Sequence, residues 1–472
     1  MKILFVTSEA APFLRTGGLG DVAGALPQAL KAMGHDVRIV MPLYQGISEE
    51  NRKKMHFVGS TFVDLGWRRQ YAGVFEAAEN GVPYYFVDNE YYFNRGGLYG
   101  HFDDGERFAF FSKAALEIVK VTEFYPDVMH VNDWQTALVP VFLDCFYRGM
   151  DGYKNTKTVL TIHNIEFQGQ FDRFVTGDVL GMPQDWESVL EWRGACNYLK
   201  AGIERANLVT TVSETYAAEL QHSFYAFGLE GILSEKRYKL RGVINGIDTK
   251  LYDPQTDKNL FVNYSAKTVK KRAENKKNLL ETLGLEYSEN RPVVAIVSRL
   301  TEQKGLDLVA PVLDEMLKAD IQLVVLGTGD WKYETMFKNA AERYPDKVRA
   351  IINFNGGMAQ KIYGSADIFL MPSKYEPCGL GQMIAMRYGA VPVVRETGGL
   401  KDSVAPFDPT DGSGVGFTFK TYHPYDMLDA VWRALGVYFD KEQWSKVQQN
   451  GMKCDFGWKA SAKKYSDFYE SL

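Results

Sequence analysis

The stretch "KILFVTSEAAPFLRTGGLGDVAG", Lys2–Gly24, sets an apolar, strand-like run ahead of a cluster of glycines that opens a helical pattern. Clustered glycines let backbone N–H groups approach an anion at a helix N-terminus, where the helix dipole also favours negative charge. The Gly18-x-Gly20-x-x-x-Gly24 spacing therefore raises the question of a dinucleotide fingerprint. That fingerprint puts its first glycine directly after strand one and an acid at the end of strand two. Both conditions fail here. Strand one ends near Ser8, leaving "EAAPFLRTG" as a long loop, and the second strand, "DVRIVMP", closes on Met41 and Pro42 with no carboxylate. A strand–loop–helix start remains, without the dinucleotide.

The same alternation runs along the chain. "KILFVTS", "DVRIVMP", "DVMHVND", "KTVLTIHN" and "NLVTTVS" are followed in the second half by "PVVAIVSR", "IQLVVLG", "VRAIINF", "DIFLMPS" and "VPVVRE". Short apolar strands separated by helices point to parallel sheets covered on both faces. At 472 residues the chain exceeds the size at which one core stops growing, so each half reads as a doubly wound α/β domain. The turn-rich "RGVINGIDTKLYDP", Arg241–Pro254, is the join. "KTVKKRAENKKNLLETLGL", Lys267–Leu285, reads as a solvated basic helix. At the end, Tyr465, Phe468, Tyr469 and Leu472 recur at helical spacing, which predicts a terminal helix burying one face.

Composition narrows the function classes. Hydrophobic residues at 46% and charged residues at 24% are ordinary for a globular protein. No apolar run approaches the roughly 18 residues of a membrane helix, and no signal-peptide pattern precedes the first strand, so a cytoplasmic location without membrane partners is expected. The net charge of −5 offers no general attraction for nucleic acid. Cys145, Cys196, Cys378 and Cys454 form no CxxC, and read as reduced thiols rather than a metal or disulfide framework. The aromatic run "PYYFVDNEYYFNRGGLYGHF", Pro83–Phe102, reads either as a strand with a packed loop or as a carbohydrate surface.

In open α/β sheets ligands bind beyond the carboxyl ends of strands, and this rule ranks the loops. "VSRLTEQKGLDL" places Arg299 and Lys304 past a strand and before a helix, a bidentate fork and a mobile point charge suited to a diphosphate. "KYEPCGLGQ" places Glu376 in a strand-end loop beside Gly379 and Gly381, which couples an acid with backbone N–H groups at a helix start. In the first half, Asp133 follows "DVMHVN", and His163 and Asn164 follow "KTVLTI". Singly these are an N-cap aspartate and a structural histidine. Four strand-end loops carrying Asp, His, Arg/Lys and Glu form a constellation.

Together, "TGGLGDVAGALP", "HVNDWQTAL", "TIHNIEFQG", "VINGIDT", "SRLTEQKGLDL" and "YEPCGLGQMIAMRYGAVPVVRETGGLKD" resemble the bacterial glycogen synthases and plant starch synthases, retaining glucosyltransferases of the GT-B fold. The resemblance covers nearly the whole chain. It implies two facing, Rossmann-like parallel-sheet domains with an interdomain cleft. An acceptor-side domain would span 1–242 and a nucleotide-sugar domain 243–455, with a terminal helix, 456–472, crossing back to the first. The substrates it implies are ADP-glucose and an α-1,4-glucan. It assigns catalytic roles to Glu376, Asp133 and His163. Donor binding falls to Arg15, Gly17, Gly18, Asn245, Arg299, Lys304, Gly379 and Leu380, and acceptor binding to Tyr99 and Asp133. If the chain is a mature plant form, the location implied is the plastid.

Two departures from the family pattern stand out. Arg15 occupies the place of the usual lysine before "TGG", and Gln135 replaces a histidine after Asp133-Trp134, removing a titratable group. Ile384 stands where related GT-B families carry a second glutamate, which matches the starch-synthase pattern. No Asp-x-Asp occurs, so Arg and Lys are expected to replace a metal on the diphosphate, and no cofactor is expected. Two rival readings are a nucleotide-sugar oxidoreductase or epimerase, from the glycine spacing, and a non-catalytic glucan scaffold, from the aromatic run. The sequence carries no reading of oligomeric state.

Overall fold

The computed structural model describes residues 1–472, which form two compact units, Met1–Val243 with Trp458–Leu472, and Ile244–Gly457. The first unit holds twelve strands: β1 (Lys2–Val6), β2 (Asp36–Pro42), β3 (His56–Leu65), β4 (Arg68–Glu79), β5 (Val82–Asp88), β6 (Val128–Asn132), β7 (Lys157–Ile162), β8 (Gln170–Phe171), β9 (Glu191–Trp192), β10 (Ala195–Asn197), β11 (Leu208–Thr211) and β12 (Leu240–Gly242). Nine form one sheet in the order β12-β11-β7-β6-β1-β2-β5-β4-β3, and β8, β10 and β9 form a small antiparallel one. From β12 to β5 all neighbours are parallel, with Val6 in register with both Val40 and Val131. Every β6 residue is buried, as expected for a strand covered on both faces.

The chain runs from β1 to β2 on one side of β1, then returns to β6 on its other side and continues outward to β7. The carboxyl ends of β1 and β6 therefore flank the point where strand order reverses, the place where such sheets open a crevice. Helix α1 (Gly18–Ala32) follows β1 and buries Leu19, Val22, Ala23, Leu26 and Leu30, a stripe at i, i+3, i+4 and i+7 spacing.

The terminal helix, Trp458–Glu470, belongs to this first unit and packs on α1. Tyr465 and Tyr469 are buried, and Phe468 and Leu472 are partly buried against the same core. Polar contacts fix its register: Tyr469 Oη lies 2.6 Å from His130 Nδ1, and Ser466 Oγ 2.9 Å from His35 Nε2.

One open reading is decided here and one expectation is corrected. The aromatic run is largely core: Tyr84, Tyr85 and Phe86 lie on β5, and they, Tyr92 and Phe93 are buried, leaving Tyr91 and Phe102 exposed. The basic segment is not simply solvated either. On the helix Arg272–Thr282, Lys276 donates to Asp367 at 2.8 Å and to the Arg291 carbonyl at 2.8 Å, while Arg272 donates to the Ala366 carbonyl. Both are buried because each finds an acceptor, the condition under which a charge is tolerated inside.

The second unit has six parallel strands, β13 (Val293–Val297), β14 (Gln322–Leu326), β15 (Val348–Ile351), β16 (Ile368–Met371), β17 (Val391–Arg395) and β18 (Phe417–Phe419). Their order, β15-β14-β13-β16-β17-β18, reverses between β13 and β16. All ten strands read from the sequence are present; the antiparallel pair β3–β4 is an addition. No helix is long and apolar enough to cross a membrane.

His130 is fully buried, and burial pushes its pKa down to about 3, so it folds as the neutral imidazole. The unfolded chain takes up that proton near the ordinary 6.5, so His130 contributes stability above that pH that is lost as pH falls toward 3. Tyr469→Phe removes its hydroxyl partner and leaves a ring nitrogen unsatisfied. Urea denaturation of the full chain at pH 7 is expected to show a loss of about 1–3 kcal/mol in the first unit.

Candidate active site

In the first unit, β6 ends at Asn132 and Asp133 turns out of the sheet with φ of +54°, a left-handed conformation that aspartate tolerates better than most residues. Its backbone N–H still reaches the Thr161 carbonyl on neighbouring β7 at 2.9 Å. Asp133 Oδ1 accepts the backbone N–H of His163 at 2.7 Å and that of Asn164 at 3.4 Å, so the loops after β6 and β7 are tied together. Burial pushes the Asp133 carboxyl up to about 7 against those two hydrogen bonds, with the nearby Glu9 charge adding to the rise.

His163 Nε2 lies 2.9 Å from Asn132 Oδ1, and Asn132 Nδ2 donates to the Val6 carbonyl at 3.0 Å. Because the Asn132 amide is committed, its oxygen faces the ring, which assigns the hydrogen to His163 Nε2 and leaves Nδ1 an acceptor. Burial lowers the His163 pKa to about 3, so this ring is neutral at pH 7.

On the other side of the reversal, the loop after β1 carries Glu9, 3% exposed, whose Oε2 accepts the Thr16 hydroxyl at 2.8 Å and the Thr16 backbone N–H. Tyr99 Oη lies 2.8 Å from Ser8 Oγ in the same region. Gly17 is the N-cap of α1 and Gly18 its first residue. A Cβ at Gly20 would lie 2.5 Å from Arg15 Cβ, whereas one at Gly17 or Gly18 would meet nothing within 4 Å. Internal packing thus demands glycine at Gly20 but not at Gly17 or Gly18. Arg15 is half exposed and ion-paired with Asp21 in the first turn of α1.

In the second unit the loops after β13 and β16 meet. Gly305, at φ +72°, lies so close to the β16 loop that a Cβ there would sit 2.0 Å from the Pro372 carbonyl oxygen. That approach delivers Lys304 Nζ to Glu376 Oε2 at 2.7 Å, and Ser373 Oγ donates to the same oxygen at 2.9 Å. Glu376 is 5% exposed, so its charge is held by direct partners rather than by water. From β17, Gly398 fits against the Glu376 carbonyl, where a Cβ would stand 2.0 Å away.

The remaining expected residues spread around this pair. Gly379, at φ +71°, lies beside the Glu376 side chain, and Leu380 precedes the helix Gly381–Arg387. Asn245 is buried, its backbone bonded to the Cys378 thiol and its Oδ1 without a hydrogen-bond partner. Arg299 is exposed and reaches Gln303 Oε1 at 3.3 Å rather than standing against Lys304. Sequence reading passed over Glu9, Asn132 and Ser373, although each lies at or just past the carboxyl end of a strand.

Two parallel-sheet units with charged and polar loops gathered at both strand reversals describe a sugar-nucleotide transferase scaffold, and the comparisons agree. Residues 2–235 match the family described as the starch synthase catalytic domain, and residues 284–448 match glycosyl transferases group 1. This is a GT-B glycosyltransferase. Glycogen synthases of Clostridium acetobutylicum and Clostridioides difficile are 48% and 47% identical to it, over 100% of this chain and of theirs. The catalytic domain of Arabidopsis thaliana starch synthase IV, solved bound to ADP and acarbose, superposes with a TM-score of 0.88 at 33% identity, covering 99% of this chain and 98% of that one. The chain belongs to the glycogen and starch synthase family. A sucrose-phosphate synthase from Thermosynechococcus elongatus, 17% identical with a TM-score of 0.62 over 100% of this chain and 98% of its own, shares the fold.

The raised Asp133 carboxyl carries a sign. Between its ordinary 3.8 and about 7 the folded state holds a proton that the unfolded chain has released, so this group makes stability fall as pH rises through that window. Asp133→Asn is expected to remove that component, seen as the difference between wild-type and variant denaturation curves from pH 4 to pH 8.

Proposed function

We propose that the chain transfers glucose from ADP-glucose to the 4-hydroxyl at the non-reducing end of an α-1,4-glucan, with retention of anomeric configuration. The observation that carries this reading is the part-buried Lys304–Glu376 pair at the strand reversal of the second unit, in a chain 48% identical over its full length to a glycogen synthase. The ADP in the starch synthase IV structure supports adenine as the donor base.

The barrier lies in separating charge across the breaking C1–O bond, so catalysis consists of stabilising the diphosphate and holding both reactants aligned. Arg299 and Lys304 supply positive charge to the diphosphate, with Arg15 a third cation and Gly379, Leu380 and Asn245 shaping the donor site. The Gly17–Gly18 turn has room for close backbone approach to the sugar-nucleotide. Glu376, already bonded by Lys304 and Ser373, orients the transferred glucose. Asp133 and His163, with Tyr99, hold the acceptor. His163, neutral with Nδ1 free to accept, suits a sugar hydroxyl rather than proton transfer.

In the step we favour, the acceptor O4 bonds to C1 from the face the diphosphate leaves. The departing diphosphate oxygen takes the acceptor's proton, so no protein nucleophile is required. The cations stand in for a metal. Four free thiols fit a reducing, cytosolic location.

Assays with glycogen or maltooligosaccharides, offering ADP-glucose and UDP-glucose in parallel, are expected to show chain growth and nucleotide release, faster with ADP-glucose and unaffected by EDTA. Absence of turnover with either donor would refute the reading. Glu376→Gln is expected to lower kcat by about 10²–10³, the range for removing one preorganised electrostatic group. Lys304→Ala should fall comparably in kcat/KM and also destabilise the second unit, because it strands a buried carboxylate.

A further inference from the structure

We infer that Glu9 is a positioning residue for donor binding, acting through Thr16 to hold the Gly17–Gly18 turn in place. This rests on the proposed approach of that turn to the donor.

The loop between β1 and α1 is long, and backbone bonds close only part of it. Ala10 and Leu14 pair across its base, and the Ala11 N–H reaches the Gly20 carbonyl at 3.0 Å. The stretch from Arg15 to Gly18 is held differently. Both hydrogen-bond donors of Thr16, its N–H and its hydroxyl, converge on one oxygen of Glu9. Glu9 is 3% exposed, so it gives up hydration to make these contacts.

An ionised acceptor makes bonds roughly twice as strong as a neutral one, which suits a turn that must not yield when a ligand presses on it. The turn itself supplies nothing comparable, since Gly17 and Gly18 have no side chains and open space around them. Glu9 also has no opening toward a substrate of its own, because it is buried and its Oε2 is taken by both donors of Thr16. Its effect on the reaction therefore passes through the turn.

The chemistry distinguishes the test variants. Glu9→Gln keeps the shape but replaces the charged acceptor with a neutral amide oxygen, so both bonds from Thr16 weaken. Thr16→Val removes the hydroxyl at constant shape, and Thr16→Ser restores it. Gly18→Ala, which meets no internal neighbour, fills the space through which the donor would approach.

Steady-state kinetics on the full chain, varying ADP-glucose and maltooligosaccharide separately, read these differences, with thermal midpoints recorded for each variant. Glu9→Gln and Thr16→Val are each expected to raise the donor KM about tenfold or more, the loss for one charge-assisted hydrogen bond. The double variant should be no worse than the poorer single one, the acceptor KM should stay within about twofold, and Thr16→Ser should stay near wild type. Strictly additive losses, or a Glu9→Gln donor KM near wild type while Gly18→Ala impairs it, would overturn the inference alone. If Gly18→Ala leaves donor kinetics unchanged, the turn does not meet the donor, and the underlying reading falls with the inference. Should Glu9→Gln fail to fold, the contrast between Thr16→Val and Thr16→Ser decides: a tenfold gap in donor KM supports the inference, and its absence overturns it.

Discussion

A parallel strand can be reached only by crossing over a face of its sheet, and that constraint places the candidate site loops of this protein. Each unit begins its sheet in the middle, builds outward on one side, then returns to build on the other. At the reversal two loops leave neighbouring strand ends in opposite directions, and the gap between them is lined by whatever residues those loops carry. In the first unit the strands are β1 and β6, and the loops bring Glu9 and Asp133. In the second they are β13 and β16, bringing Lys304 and Glu376.

The two reversals solve the burial of a carboxylate differently. Glu376 meets a lysine ammonium and a serine hydroxyl at hydrogen-bond distance, so its charge is compensated directly. Asp133 has only the N–H groups of His163 and Asn164, and burial outweighs them, so its carboxyl titrates near neutrality. His163 completes the contrast: burial disfavours its charged form, and its hydrogen is aimed at Asn132. One unit thus presents a carboxylate paired with a lysine, and the other presents hydrogen-bonding groups whose charge burial disfavours. A diphosphate sugar and a neutral glucan are chemically different enough to use both.

Much of this was legible in the chain. Strands buried on both faces leave apolar runs that stand out, and a loop residue just past such a run is placed by the strand itself. Asp133, His163, Lys304 and Glu376 are placed past strand ends that way. The β3–β4 pair escaped because a half-exposed antiparallel hairpin mixes its signals, with Phe57 and Phe62 on the solvent side. Lys276 and Arg272 misled because a basic helix looks solvated until its acceptors, Asp367 and the Ala366 carbonyl, are brought to it from distant sequence. Pro83–Phe102 stayed open between a packed loop and a sugar surface, since composition cannot tell a buried tyrosine from one waiting for a sugar, and burial decides for the packed loop.

The sequence by itself determined the strand-and-helix pattern, the division into two α/β halves, the amphipathic terminal helix and the loops that carry chemistry. These follow from periodicity and from side-chain type, which are local. The tertiary structure alone decided which partner each of those side chains has. Lys304 and Glu376 are 72 residues apart and meet only because Gly305 lets one loop press against another. The opening "RTGG" is likewise explained from outside itself: Thr16 is held by Glu9, Gly20 is glycine because Arg15 crosses it, and Gly17 and Gly18 are left with open space. Burial and proximity set charge state and orientation, and neither is written in the order of residues.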